Sequence, residues 1–286
     1  MSRPLFSIIT VCLNSEQTIE KFMRSVLSQS FVNYELIIID GASKDGTLEL
    51  INKFEGDLQL NGIKYYILSE KDNGIYDAMN KGMQYANGLY TLFLNSDDKF
   101  YDRNALCRVS EKVLELMNQD VTIDIIYCGI ELLLHKYGRL YSRKLNTDEM
   151  NLSSLESYMA VQHQSCLFRT SLLRERSFNQ NYKIGADYDY ILRAYREGLK
   201  FIEINSIITT KNITAGDTSS NPILNTLENI KIHRQFHSIW SRRMWTHYKR
   251  LILYSVRYLK EQLSSAELVE HQNVKRMIKS GYSLIE

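Results

Sequence analysis

The sequence predicts an α/β fold centred on an open, mostly parallel sheet. Three observations carry this. Short apolar, β-branched runs alternate with stretches of helical spacing between Phe6 and Leu94. Polar residues gather just past the ends of those runs, at Asn14, Asp40, Asp72 and Asn95 to Asp98. The 286 residues are 44% apolar and 24% charged, which suits a packed core rather than a disordered chain.

Each element follows from local pattern. Phe6 to Leu13 reads as the first strand. Glu16 to Gln29 is predicted helical, because Ile19, Phe22, Met23, Val26 and Leu27 share one face. Tyr34 to Asp40 contains Leu-Ile-Ile-Ile, the run of a strand buried on both faces. Gly41 to Gly46 is a turn, and Thr47 to Phe54 is helical. Lys64 to Leu68 is the third strand, and Asp72-Asn73-Gly74 is a turn signal. Ile75 to Ala86 is a helix, and Tyr90 to Leu94 is the fourth strand. Past residue 120 the alternation loosens. Ile123 to Leu134, Arg139 to Arg143, Gln164 to Arg169 and Phe201 to Ile208 read as strands, and Asp187 to Glu197 as a helix. From about Asn225 the chain is predicted helical.

Several function classes are disfavoured. The turn after the first strand, Cys12 to Gln17, lacks glycine, so it is neither a dinucleotide fingerprint nor a Walker loop. The four cysteines include no CxxC pair, which argues against zinc and dithiol chemistry. A net charge of +2 without a binding motif gives no expectation of nucleic acid. No leader-like segment and no run of about 20 apolar residues is present, so the cytoplasm is the expected compartment. Carboxylates on several strand-end loops suit a nucleotide and a hard divalent cation, with Asp40 and Asp72 toward base and ribose and Asp97 and Asp98 toward magnesium or manganese.

Five segments, in fixed order, resemble glycosyltransferase family 2, the inverting enzymes of the GT-A fold, in its bacterial surface-polysaccharide form. They are Ser7-Ile-Ile-Thr-Val-Cys-Leu-Asn14, Ile39-Asp-Gly-Ala-Ser-Lys-Asp-Gly-Thr47, Glu70-Lys-Asp-Asn-Gly-Ile-Tyr-Asp-Ala-Met-Asn-Lys-Gly82, Phe93-Leu-Asn-Ser-Asp-Asp98 and Ala186-Asp-Tyr-Asp-Tyr-Ile-Leu-Arg193. The resemblance runs from Phe6 to about Ser219. It implies a catalytic domain over 1–222, with a nucleotide-binding half over 1–100 and an acceptor-binding half over 101–222. Residues 223–286 form a helical extension.

The resemblance also implies a site. Thr10, Val11, Asn14, Asp40, Asp72, Gly74, Asn80, Lys81, Asn95 and Ser96 would surround the nucleotide. Asp97, with Asp98 beside it, would hold Mn2+ or Mg2+. Asn95 stands where the family carries the first aspartate of its DxD motif, a departure that leaves the last carboxylate in place. Asp187 would be the catalytic base, at a helix start where the dipole favours a carboxylate. His163 and Gln164 resemble a segment near the donor sugar, and Asp189 ranks behind Asp187. Lys211 and the loop Thr214 to Ser219, with Gly216, resemble a segment that closes over the diphosphate.

The expected activity is transfer of a hexosyl or hexosaminyl group, with inversion, from a nucleotide-diphosphate sugar to an acceptor hydroxyl. UDP is the favoured nucleotide, because Asp40 and Asp72 suit the imide of uracil. The expected acceptor is a growing polysaccharide or a lipid-linked saccharide. The segment Lys231 to Lys260 holds eight Lys or Arg and no Asp or Glu. A helical wheel places Phe236, Trp240, Met244, Tyr248, Leu251 and Leu259 on one face and Arg234, Arg242, Arg243, Lys249, Arg250 and Arg257 on the other. This pattern suits either a stripe packed on the domain or peripheral attachment to an anionic membrane, at the inner face of the cell membrane. The rival readings are a nucleotidyltransferase that makes nucleotide sugars and a non-catalytic, membrane-associated sugar-binding scaffold.

Overall fold

The structure is a computed structural model, and it describes residues 3–119, 121–213, 221–238, 240–263 and 266–285. In chain order the elements begin β1 (Phe6–Cys12), α1 (Ile19–Leu27), β2 (Tyr34–Asp40), α2 (Thr47–Asn52), α3 (Glu55–Leu60), β3 (Lys64–Ser69), α4 (Ile75–Tyr85), β4 (Tyr90–Phe93), β5 (Lys99–Phe100) and α5 (Ala105–Met117). They continue with β6 (Ile125–Lys136), β7 (Arg139–Leu145), β8 (Cys166–Arg169), α6 (Thr170–Glu175), α7 (Ala186–Arg196) and β9 (Phe201–Ile213). The last are α8 (Pro222–Arg234), α9 (Arg242–Leu263), α10 (Ala266–Lys279) and β10 (Ser283–Leu284).

The chain divides into two compact units, residues 1–131 with 144–211, and residues 132–143 with 212–286. The division does not fall at residue 222. The second unit also takes the tip of the β6–β7 hairpin, and β10 pairs with β7 there.

In the first unit β1 lies between β2 and β4, both parallel to it, and β3 runs parallel on the far side of β2. Both β1 and β2 are buried along their whole length. Helix α1 packs Ile19, Phe22, Met23 and Val26 inward, and all four join the main core. Beyond β4 the pairing changes sense. β8 is antiparallel to both β4 and β6, and β5 is antiparallel to β9. The sheet is therefore parallel through the first hundred residues and mixed beyond them. The strand β8 inserts between β4 and β6 and runs opposite to both, which is what makes the second half mixed.

Helices α3, α5 and α6 were not anticipated from pattern, and β9 runs five residues beyond the expected end at Ile208. An aromatic layer joins the two halves of this unit. Phe93 on β4 and Phe168 on β8 meet edge to face at 6.1 Å. Phe178 sits 5.2 Å from Phe93 and 5.3 Å from Tyr190 of α7. Tyr76 on α4 closes the layer, 5.6 Å from Phe178.

In the second unit α8 packs on α9, with the His233 and His247 rings 4.3 Å apart and both residues buried. Burial, reinforced by Arg250 and His237, holds the His247 imidazole down at about 4. The single helical face drawn across Phe236 to Leu259 is corrected here, because α8 ends at Arg234 and α9 begins at Arg242. Ser238 and Ser241 hydroxyls accept from the Trp240 and Met244 N–H groups at the break. Met244 turns inward and is fully buried, while Trp240 is 75% exposed. The side chains of Arg243 and Leu259 lie outside the described residues.

Candidate active site

The parallel strands aim their carboxyl ends at one edge of the first unit, where an open α/β sheet binds ligands. Three loops meet there. The Asn14 N–H donates to Ser43 Oγ at 2.7 Å, and Asn14 Oδ1 accepts from the Lys44 N–H at 2.9 Å, so the loops after β1 and β2 hold each other. The Ser15 and Ser96 hydroxyls are 2.9 Å apart, which ties the β1 loop to the loop after β4. Asn14 and Ala42 both adopt the left-handed backbone region, at φ 50° and 62°. For alanine this is uncommon, and such backbone strain concentrates at ligand sites.

Asp40 is fully buried and turned into its own loop. Its carboxylate accepts from the Ser43 N–H at 3.0 Å, from the Ser43 hydroxyl and from the Ser69 hydroxyl at 2.6 Å. The register sets Asp40 beside Ser69, which explains that last bond. Asp40 thus shapes the loop, and the more accessible carboxylate at this end is Asp72. Asp72 accepts from the Gly74 N–H at 2.9 Å, and Gly74 has φ +117°, a value open to glycine and rare for other residues. Helix α4 starts at once from that turn.

Two residues expected beside the nucleotide have their polar atoms engaged elsewhere. Asn80 exchanges hydrogen bonds with the Phe178 backbone, at 3.0 Å as donor and 2.9 Å as acceptor. It lies more than one turn inside α4, away from the loop end. Lys81 pairs with Glu70 at 2.7 Å and donates to the Lys71 carbonyl at 3.0 Å, clamping the Glu70–Asp77 loop from behind. Thr10 and Val11 are buried within β1, and the Thr10 hydroxyl has no hydrogen-bond partner among the described residues.

The loop after β4 is a turn in which the Asp98 N–H donates to the Asn95 carbonyl at 3.0 Å. Asp98 is 2% exposed and Ser96 is also buried, while Asp97 stands half-buried. The buried Asn95 Oδ1 has no hydrogen-bond partner among the described residues. An acceptor desolvated in this way is stabilised by a donor that a ligand brings. Among the described residues no group of three or more His, Cys, Asp or Glu side chains forms a complete metal shell. The Asp97 and Asp98 carboxylates are hard oxygen donors. Donors of this kind suit a magnesium or manganese ion, which would need further ligands from elsewhere.

The strongest cluster centres on Asp187. Gly185 precedes α7, acidic residues occupy its first turn and basic ones its last, the arrangement that complements the helix dipole. Asp187 Oδ1 accepts from the Tyr76 hydroxyl at 3.0 Å and from the Tyr188 N–H at 2.8 Å. Asp187 Oδ2 lies 2.6 Å from His163 Nδ1. Burial by itself would raise this carboxyl. The charge and hydrogen bond of His163, the Tyr188 N–H and the Lys211 ammonium outweigh burial and hold it below the usual carboxylate range. Asp187 is therefore ionised at neutral pH. Its stabilising contribution is present above the unfolded carboxylate range and is lost as pH falls through the lowered value.

His163 opens the short turn before β8, and its buried Nε2 has no hydrogen-bond partner among the described residues. The buried Gln164 Oε1 beside it is equally unpartnered. Asp189 faces away and accepts from Arg193 Nε at 2.9 Å, as two residues of helix rotation require. Gly216 and its loop lie outside the described residues. Tyr76 reads from the sequence only as an aromatic that could stack on a sugar, and its hydroxyl bond to Asp187 was not anticipated. The signal for it was its position in the first turn of α4, two residues after the Gly74 turn. Cys12, Cys128 and Cys166 are buried thiols pushed up mainly by that burial, so none is a poised nucleophile.

Comparison with known proteins bears on the family and the fold. The model of the family described as Glycosyl transferase family 2 matches residues 7–176. A PGL/p-HBAD biosynthesis glycosyltransferase of Mycobacterium tuberculosis is 30% identical over 199 residues, covering 68% of this chain and 71% of that protein. The chondroitin synthase of Pasteurella multocida is 30% identical over 76% of this chain, but the match covers only 21% of that protein. Among solved structures, S. aureus TarS 1-349 in complex with UDP-GlcNAc superposes with a TM-score of 0.62 at 18% identity, covering 86% of this chain and 70% of that one. The mannosyltransferase PcManGT from Pyrobaculum calidifontis, in complex with GDP-Man and Mn2+, gives a TM-score of 0.62 at 14% identity over 97% and 81% of the two chains. At these identities the structural likeness is one of fold.

Proposed function

The chain belongs to glycosyl transferase family 2, and from that premise we propose that it moves a sugar from a nucleotide-diphosphate sugar to an acceptor hydroxyl with inversion. Membership sets aside the nucleotidyltransferase and scaffold readings. The observation that carries the proposal is Asp187, ionised at neutral pH beside a buried imidazole at the carboxyl end of the parallel strands.

Inversion is one displacement. The acceptor oxygen bonds to the anomeric carbon, the bond from that carbon to the diphosphate oxygen breaks, and the acceptor proton passes to a base. The Asp187–His163 pair supplies the base. Asp72, Asn14 and the Asn95 amide are the groups offered to the nucleoside, and UDP remains the favoured nucleotide. Lys211 and Gln164 are the second-tier groups assigned to the reacting side, Gln164 because its buried Oε1 has no hydrogen-bond partner among the described residues. Lys211 acts electrostatically on Asp187, which supports a role for its charge toward the departing diphosphate. Asp97 and Asp98 would hold a divalent cation, which when bound stabilises charge on the leaving diphosphate.

Thermal melting with UDP, GDP, dTDP and CDP, each with and without Mn2+, tests the donor site. A nucleotide at about 100 times its Kd should add about 2.7 kcal/mol to the folded state. The expected result is a manganese-dependent shift of several degrees with UDP, lost in Asp97→Asn. No shift with any nucleotide at millimolar concentration would sink the reading.

The acceptor proposed is a saccharide carried on a lipid, at the cytoplasmic face of a membrane. Support comes from α9, whose outer face carries Arg242, Trp245, Lys249, Ile252, Leu253 and Val256. Ile252 and Leu253 are 62% and 67% exposed, an unusual position for large aliphatic side chains on a helix. Basic residues stand among them with no acidic one, which is the complement of anionic headgroups. Among the described residues no helix is long and apolar enough to cross a membrane. Sedimentation with phosphatidylglycerol vesicles should pull the protein down, phosphatidylcholine should not, and Ile252→Asp with Leu253→Asp should weaken binding at least about tenfold. Equal behaviour with both lipids would remove the membrane from the picture.

A further inference from the structure

We infer that Tyr76 is a positioning residue for the base: its hydroxyl occupies one oxygen of Asp187 and leaves the other to take the acceptor proton. This rests on the transferase reading, with Asp187 as the group that receives the proton.

An ionised carboxylate offers about four lone-pair sites, two on each oxygen. On Asp187 both sites of Oδ1 are filled, by the Tyr76 hydroxyl at 3.0 Å and the Tyr188 N–H at 2.8 Å. Oδ2 meets His163 Nδ1 at 2.6 Å and keeps one site open among the described residues. The Asp187 side chain is 14% exposed, so the carboxylate is not sealed. An acceptor hydroxyl is thereby directed to Oδ2. The Tyr188 N–H belongs to the same helix and moves with Asp187. The Tyr76 bond arrives from another element and fixes the carboxylate from outside. Without it Oδ1 and Oδ2 become near equivalents, and the terminal torsion of aspartate is broad enough to let them exchange.

Helix α4 is built to hold that hydroxyl still. Tyr76 lies in its first turn, two residues after Gly74, whose N–H donates to Asp72. Asn80 follows one turn later on the same face and exchanges two hydrogen bonds with the Phe178 backbone. The Phe178 ring lies 5.6 Å from that of Tyr76 and 5.3 Å from that of Tyr190, which stands on α7 with Asp187. The buried Tyr76 ring is therefore braced by a residue that its own helix holds. The base is aligned to the helix that issues from the Asp72 loop, the loop offered to the nucleoside. The other titratable or charged groups around Asp187 are His163 before β8, Cys166 at the start of β8 and Lys211 on β9. Asp189 on α7 is turned to Arg193 instead.

The test uses the full chain with Mn2+ and a panel of UDP- and GDP-sugars, water serving as the acceptor, read as nucleotide release from about pH 4 to pH 8. Tyr76→Phe removes one oxygen and keeps the ring. Asp187 works ionised, so the rate falls as pH drops through its pKa, and losing a hydrogen-bond donor raises that pKa. The acid limb should move up by about one pH unit. The plateau kcat should fall about 10- to 100-fold, with KM for the donor within about threefold. A stronger base alone would speed the transfer, so a slower plateau with a raised limb marks lost alignment. Melting temperature and nucleotide affinity near wild type confirm that the variant folds. If Tyr76→Phe keeps more than a tenth of the rate, or loses rate with the limb unmoved, the inference falls while the transferase reading stands. If wild type releases nucleotide from no donor, the reading beneath it falls as well.

Discussion

Asp187→Asn should lower turnover about 10³- to 10⁴-fold while leaving nucleotide affinity within about threefold. Asparagine nearly preserves the shape but supplies one acceptor oxygen where the carboxylate uses two. Oδ1 serves Tyr76 and Tyr188, and Oδ2 serves His163. If the amide oxygen stays with Tyr76 and Tyr188, its NH2 faces His163 Nδ1. Two donors cannot share that contact, so the ring must turn or give up its Nδ1 hydrogen, and the Asp187–His163 pair is broken. In the serine-protease triad the same change costs about 10⁴-fold, through the wrong tautomer. The contribution of Asp187 to the charge balance is lost as well. Nucleotide release at saturating donor reads the effect, and calorimetric titration of the nucleotide reads the affinity. Turnover within tenfold of wild type would show that neither the carboxylate nor the tautomer matters.

The largest effect on stability is expected at Gly88. Its N–H donates to Ser7 Oγ at 2.8 Å and to Glu35 at 3.0 Å. A Cβ there would meet the Ser7 nitrogen at 2.5 Å and the Phe6 carbonyl carbon at 2.6 Å. Both are backbone atoms of β1, the strand between β2 and β4, so no side chain can swing away to make room. Either β1 shifts and loses register with both neighbours, or the Asn87–Gly88 turn lifts off Glu35. Glu35 is buried, and Ser7, Asn87 and Gly88 all donate to it. Lifting the turn would leave a buried carboxylate short of donors, which is expensive. Gly88→Ala should therefore cost about 3 kcal/mol or more, as a lowered midpoint in urea or a sharp drop in soluble yield. A midpoint matching wild type would mean that the close approach relaxes easily. The sugar-transfer proposal would be untouched.

These two residues differ in how far the sequence announced them. The strand runs from Phe6 to Leu94 were legible because their pattern is local, and the parallel order of β1, β2, β3 and β4 matches it. The antiparallel insertion of β8 was not legible. It depends on pairing across 75 residues or more, as between Leu92 and Leu167, which no window of periodicity reports. Asp187 stood in a motif, but its bond to Tyr76 spans 111 residues. Asp40, Asn80 and Lys81 show the same limit from the other side. Their placement near strand ends and on α4 was readable, but the spending of their polar atoms on Ser69, Phe178 and Glu70 was set by the packing. The wheel drawn through residues 236–259 failed for a plainer reason. Phe236 and Trp240 precede α9 and so fall outside the single helix the wheel assumed, while Met244, Tyr248 and Leu251 within α9 keep the inward face it gave them.

The distance between Tyr76 and Asp187 along the chain has a bearing on biogenesis. A ribosome delivers residues 1–100 first, and with them β1 flanked by β2 and β4 and the three loops held together by Asn14, Ser15 and Ser96. At about 5–20 residues per second, Asp187 follows Tyr76 by roughly 6–20 s. On the function proposed above, the nascent polypeptide in that interval carries the donor loops without the carboxylate and imidazole that would accept the proton. A donor held by the incomplete chain would stay intact until His163 and α7 leave the exit tunnel.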